Sequence, residues 1–105
     1  MTNTKQLYTV EEIKEKLTPI FEENGVIKAF LFGSYAKGEA TEESDVDIVA
    51  YVDESMSILD FCGIADDAIN KLGKKIDFLY GDDVIIGGRI DTELKKEGVI
   101  LYEKI

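Results

Sequence analysis

The residues that most limit what this chain can become lie between Phe30 and Tyr51, FLFGSYAKGEATEESDVDIVAY. An apolar run, Phe30-Leu31-Phe32, ends in Gly33-Ser34; a polar connection follows, and Asp45-Val46-Asp47 opens a second apolar run. The first run reads as the end of a buried strand and the second, from about Asp45 to Val52, as another, with turn-type residues between them. Only ten residues separate Ser34 from Asp45. That is too short for the crossover a parallel pair needs, so the two strands are expected to be antiparallel neighbours. Side chains alternate along a strand, which puts Asp45 and Asp47 on one face and Val46 and Ile48 on the other. Two carboxylates side by side repel, and keeping both ionised at neutral pH calls for a cation or ample water.

Across from the acids, Gly33-Ser34 is expected to open a short helix over Tyr35-Ala36-Lys37 that Gly38 closes. A helix N-terminus presents free N–H groups and a positive dipole end, which suits a phosphate. Gly33 lets a ligand approach the backbone, Ser34 can cap and donate, and Lys37 adds a positive charge. A phosphate cradle facing a carboxylate pair describes metal-assisted phosphoryl or nucleotidyl transfer.

The pattern G-S-x10-D-x-D, Gly33-Ser34 through Asp45-Val46-Asp47, resembles the signature of the DNA polymerase β-like nucleotidyltransferases. The wording FGSYAKGEATEESDVDIV is similar to the minimal nucleotidyltransferases, which typically act as antitoxins encoded beside a helical HEPN toxin. The resemblance runs from the first helix to the last strand. One position departs from it: the family often has Arg where Lys37 stands, and lysine keeps the charge but lacks the planar fork for bidentate phosphate binding.

Size and composition agree with such a fold. One hundred and five residues suggest a single domain, 1–105, that buries roughly two-thirds of its unfolded surface. Apolar residues make up 45% of the sequence, which argues for a globular chain over a disordered one. No run approaches the ~20 apolar residues that span a bilayer, and the N-terminus lacks a basic-then-apolar signal, so neither membrane association nor secretion is expected. The single cysteine, Cys62, cannot form an internal disulfide, which fits a cytoplasmic location.

Twelve basic against twenty-two acidic side chains give a net charge of −10. Binding to a nucleic-acid backbone needs clustered Lys and Arg, so direct contact with nucleic acid is not expected. A basic protein is the more natural partner, although solubility alone also accounts for the charge. There is no histidine, which removes Ser-His-Asp and Cys-His mechanisms and imidazole zinc sites. A metal would be held by oxygen, hence Mg2+ or Mn2+.

Along the chain, Met1 to Tyr8 reads as polar and loose. Thr9 with Glu12 makes a capping box, with Tyr8 and Ile13 as its hydrophobic staple. Val10, Ile13, Leu17, Ile20 and Phe21 recur at helical spacing, and Pro19 is expected to kink that helix before Asn24-Gly25 ends it. Val26 to Phe32 is the first strand, and Glu39, Glu42 and Glu43 read as solvated loop. Ser57 and Asp60 cap a helix carrying Ile58, Phe61, Cys62, Ala65, Ala68, Ile69 and Leu72, with Cys62 read as a small core residue rather than a nucleophile. Lys74 to Tyr80 is the third strand, and the helix before it makes a right-handed crossover, so strands two and three are parallel neighbours.

Asp77 then lies as deep in its strand as Asp47 in its own. An unpaired acid in an apolar strand is costly. An edge position, or an ion pair with Lys74 or Lys75, would explain it; beside the Asp45/Asp47 pair, a third metal carboxylate is preferred. Gly81-Asp82-Asp83 is a turn, and Val84 to Glu97 holds a helix best supported over Arg89 to Lys96. Gly98 closes that helix, and Val99 to Tyr102 is the last strand. Arg89 reads as a surface ion pair, with contact to substrate phosphate or a partner as the alternative. The expected fold class is α/β (α+β), a small mixed sheet of about four strands with helices mainly on one face, nucleotidyltransferase-like.

The resemblance implies that AMP passes from ATP to a hydroxyl of a partner protein, a tyrosine of a HEPN toxin. Asp45 and Asp47 would hold two Mg2+ or Mn2+ ions roughly 4 Å apart. Asp77 would complete the site on the acceptor side and help take its proton, with Gly33, Ser34 and Lys37 holding the β- and γ-phosphates. Val49, Tyr51 and Leu79 share faces with the acids, as a docking surface or as core. Two rivals remain: an acidic antitoxin that neutralises a basic toxin by binding alone, and an enzyme whose acceptor is a small hydroxylated molecule such as an aminoglycoside.

Overall fold

In a computed structural model, which describes residues 6–104, four strands form one mixed sheet. They are β1 (Val26–Phe32), β2 (Val46–Val52), β3 (Ile76–Tyr80) and β4 (Val99–Glu103), in the spatial order β3-β2-β1-β4. Strand β1 is antiparallel to both β2 and β4, and β2 runs parallel to β3. The short hairpin-length link and the helical crossover thus give the two pairings their spacing demands. The helices are α1 (Val10–Glu23), α2 (Gly33–Lys37), α3 (Ile58–Leu72) and α4 (Arg89–Glu97), with a 3-10 turn over Gly81–Asp83.

Helix α1 starts at the expected capping box: Glu12 N–H donates to Thr9 Oγ1 at 3.0 Å, and Thr9 N–H donates to Glu12 Oε1 at 2.8 Å. Ile13, Leu17 and Phe21 form its buried stripe. The helix runs through Pro19 to Glu23 without a break. Pro19 lies on the exposed face, where water can satisfy the carbonyl that the missing N–H leaves free. Of the stretch Met1 to Tyr8 expected to be loose, residues 1–5 lie outside the described residues. Tyr8, by contrast, is buried, and its hydroxyl donates to Leu72 O at 2.5 Å.

Helix α3 is capped by Ser57, whose Oγ accepts from Asp60 N–H at 3.1 Å, and it ends at the left-handed Gly73. Phe61, Ile64, Ala68 and Leu72 face the core. Cys62 is exposed, so it is not a core residue: it sits one residue, about 100° of helical turn, from Phe61. Helices α1 and α3 cover one face of the sheet, closing over Ala29, Leu31, Ile48, Ala50 and Leu101. Phe78 joins the two layers, its ring centroid 6.3 Å from Phe21 and 5.0 Å from Phe61.

Beside this core lies Lys74, only 1% exposed. Its ammonium donates to Gln6 O at 3.1 Å and Glu42 O at 2.8 Å. One buried charge thereby fastens the segment before α1 and the α2–β2 connection to the entry of β3. Among the described residues, no helix is long and apolar enough to cross a membrane.

Candidate nucleotidyl-transfer site

The parallel register of β2 and β3 sets Asp47 directly beside Asp77. Neighbouring strands are about 4.8 Å apart, so alternation brings both carboxylates to the same spot on the face away from α1 and α3. On the other flank, Phe32 pairs with Asp47, so the chain leaves β1 and turns into α2 at Gly33, against that acid. Gly33 has φ +72°, and a Cβ there would collide with the Asp47 carboxylate. Two independent reasons therefore demand glycine. Helix α2 spans five residues and is closed by the left-handed Gly38, as the sequence indicated.

Helix α4 lies over this corner. A cleft of about 370 Å3 opens between Gly33, Asp47 and Asp77 of the sheet side and Arg89, Ile90 and Glu93 of α4. Burial pushes the Asp47 carboxyl from 3.8 up to about 6, assisted by the charge and hydrogen bond of Asp77 and more weakly by the charges of Asp45 and Glu93. Among the described residues, neither Asp47 nor Asp77 has an ion-pair partner.

Asp45 behaves differently. It lies one residue before β2, half-buried, with Oδ2 3.8 Å from Lys75 Nζ. Strand alternation does not bind a residue outside the strand, and Lys75 screens a carboxylate that would add repulsion if turned onto Asp47 and Asp77. Among the described residues, no three acidic or thiol side chains gather into a ready cation site. The expected triad is therefore a pair in space with a third acid alongside. Ion pairing with a lysine, weighed as an explanation for Asp77, instead belongs to Asp45.

Ser34 is half-buried in the first turn of α2. Lys37 points to α4, its Nζ 3.5 Å from Glu93 Oε1. With Arg89 and Glu93 it lines a neighbouring cleft of about 400 Å3 rather than the cleft of the acids. Arg89, expected in a surface ion pair, has no such partner among the described residues and lines both clefts. A signal was present in the sequence: Arg89 is its sole arginine. Nothing in local spacing marks Glu93 and Ile90, because the return of α4 over the acids is a long-range contact. Two adjacent carboxylates without a neutralising side chain are a hard oxygen donor set, and the Asp47–Asp77 pair fits Mg2+ or Mn2+.

The fold is shared with solved toxin–antitoxin assemblies. A chain of one solved with AMP-PNP superposes with a TM-score of 0.72 at 18% identity, over 87% of this chain and 73% of that one. A chain of the complex of tri-AMPylated Shewanella oneidensis HEPN toxin with MNT antitoxin gives 0.68 at 15% identity, over 91% and 74%. At such identities the likeness concerns the fold alone. Sequence likeness reaches further. A Methanocaldococcus jannaschii protein named provisionally as a protein adenylyltransferase is 41% identical over 70 residues, 67% of this chain and 75% of its own length. Protein adenylyltransferase MntA of Thermococcus cleftensis is 38% identical over 77 residues, 70% of this chain and 78% of its own length. The sequence profile described as polymerase beta, nucleotidyltransferase matches residues 15–104. The chain belongs to the polymerase β-type nucleotidyltransferase family.

Proposed function

We propose that this nucleotidyltransferase moves AMP from ATP to a tyrosine hydroxyl of a HEPN-type toxin and so acts as its antitoxin. The observation that carries the reading is the level pairing of Asp47 and Asp77 beside Gly33, at the mouth of a cleft closed by Arg89. The protein adenylyltransferase name of the Thermococcus cleftensis relative and the toxin–antitoxin assemblies with the same fold support it.

The acceptor oxygen attacks the α-phosphorus, a new O–P bond forms, and the bond from that phosphorus to the bridging oxygen breaks to release pyrophosphate. Asp77, the more exposed acid, faces the acceptor side and takes the hydroxyl proton. Asp47 and Asp77, with Asp45 as the third acid, would hold two magnesium or manganese ions, which would supply charge neutralisation at the reacting phosphate. Gly33 and Ser34 receive the β- and γ-phosphates through backbone N–H groups and the serine hydroxyl. Lys37 and Arg89 add positive charge at the phosphate end, Arg89 with the bidentate fork that Lys37 lacks. Rate acceleration then comes from positioning and electrostatics, with no covalent intermediate on the protein. One domain carries the whole reaction in the cytoplasm. The charge of −10 favours a basic protein partner over nucleic acid or an anionic membrane.

The test incubates the protein with ATP radiolabelled at the α-phosphate, magnesium and the HEPN-type protein of the same genome. A parallel sample uses Asp47→Asn. Label on the toxin that disappears with the variant supports the proposal. A toxin neutralised equally by both proteins and carrying no label overturns it in favour of simple sequestration. Label on an added aminoglycoside with none on the toxin overturns the acceptor.

A further inference from the structure

Beyond the acids, on the side of β3, a second cleft of about 310 Å3 opens, walled by Leu79, Val84, Ile85 and Ile90. It adjoins the cleft of the acids, with Leu79, Arg89 and Ile90 lining both. Its outer lip is apolar and exposed. Ile85 is 76% exposed and Ile86 89%, two consecutive large apolar side chains presented to solvent. Single exposed apolar residues need no explanation, but an adjoining pair on the rim of an apolar cleft does.

The lip is also held in place. Gly88 N–H donates to Ile85 O at 2.9 Å, and Gly87, with φ +81°, donates its N–H to Asp91 Oδ2 at 2.8 Å. Both isoleucines therefore project from a closed turn rather than a slack loop. Acids flank this lip: Asp82 and Asp83 are exposed, and their charges, with that of Glu54, fall on Tyr80 at the cleft's base.

We infer that the Ile85–Ile86 lip and the cleft behind it are the docking surface for the acceptor protein, seizing an apolar anchor side chain flanked by Lys or Arg. The inference rests on the adenylyl-transfer reading and adds where the partner sits. An anchor in this cleft lies one wall away from Asp77, so a hydroxylated residue near it in the partner reaches the acids. The volume is at the bottom of the range for small-molecule sites, roughly 300–1,000 Å3, and suits one large side chain. The pre-formed turn spares the ordering cost of binding, and the acid rim selects a basic partner and steers it inwards. A nucleobase would use the cleft but gives no reason for two isoleucines projecting outside it.

The experiment measures binding of the HEPN-type protein of the same genome without ATP, using wild type, Ile85→Asp/Ile86→Asp and Asp82→Asn/Asp83→Asn. Both isoleucines are exposed, so the substitutions leave the fold intact, as checked by thermal unfolding. The isoleucine variant is expected to bind about tenfold or more weakly. The aspartate variant should lose several-fold at low salt and little at high salt. Affinity for a fluorescent ATP analogue should be unchanged in both. Wild-type partner affinity in the isoleucine variant, no binding by wild type, or an equal loss of nucleotide affinity overturns the inference. A partner that binds wild type and not the isoleucine variant, yet never receives AMP, upholds the docking surface and removes the transfer reading instead.

Discussion

Asp47→Asn should stabilise the cation-free protein at neutral pH while abolishing transfer. The carboxyl of Asp47 is pushed from 3.8 to about 6, first by burial and then by Asp77. A carboxyl pKa raised in the fold means that the folded state holds its proton more tightly than the unfolded chain does. Its contribution is fully present below about pH 4 and is lost as pH rises through about 6. The shift of about 2 pH units corresponds to about 3 kcal/mol at ~1.36 kcal/mol per unit. Asp47 is only half-buried, so solvent screening reduces this to on the order of 1 kcal/mol.

The assay is urea unfolding in EDTA at about pH 4 and pH 7.5 for wild type and variant. Asp53 and Asp91, whose carboxyls are held low by the backbone N–H groups of Ser55 and Gly87, make stability rise with pH. They are present in both proteins and cancel in the comparison. Relative to the variant, wild type should lose about 1 kcal/mol between the two pH values. An equal difference at both, or a variant that is the weaker of the two only at neutral pH, would refute the electrostatic account of the pair. Magnesium should narrow the gap at neutral pH, because a divalent ion favours the ionised pair.

Three further outcomes follow from the packing. Gly33→Ala should cost about 1–3 kcal/mol in thermal unfolding and most of the transfer rate, since φ is positive and the new methyl meets the Asp47 carboxylate; an unchanged melting temperature would contradict that geometry. Lys74→Met should destabilise by about 2–4 kcal/mol in urea unfolding, because two carbonyls lose a charged donor. Cys62, being exposed, should react with a thiol reagent in the folded protein without prior unfolding, with transfer to the partner unimpaired. Strong protection would return Cys62 to the core.

Much of this arrangement is legible in the sequence because short-range rules reach it. A ten-residue link and a helical crossover dictate which strands are neighbours, and the depth of Asp47 and Asp77 in their strands does the rest. Thr9 and Glu12, three residues apart, announce the start of α1 for the same reason. Readings went astray where the answer lay in phase or in distant contacts. In α3, Phe61, Ile64, Ala68 and Leu72 face the core, with Ile69 packed at its margin, whereas Ile58 and Cys62 share the apolar spacing but stay exposed. Asp45 shares the motif's spacing with Asp47 but sits outside the strand, free to meet Lys75. The return of α4 over the acids, which pairs Lys37 with Glu93 and brings Arg89 to the cleft, is a long-range event. Burial of Lys74 is likewise invisible locally, since a lysine reads as surface until its carbonyl partners are placed.

The central claim is that the Asp47–Asp77 pair supports attack on the α-phosphorus of ATP. Pyrophosphate release in the presence of magnesium and the HEPN-type partner, followed for wild type and Asp77→Asn, tests it most directly. One pyrophosphate per AMP attached, with the rate reduced at least about a hundredfold in the variant, is the predicted result. Release of inorganic phosphate in place of pyrophosphate, or a variant as fast as wild type, would contradict it.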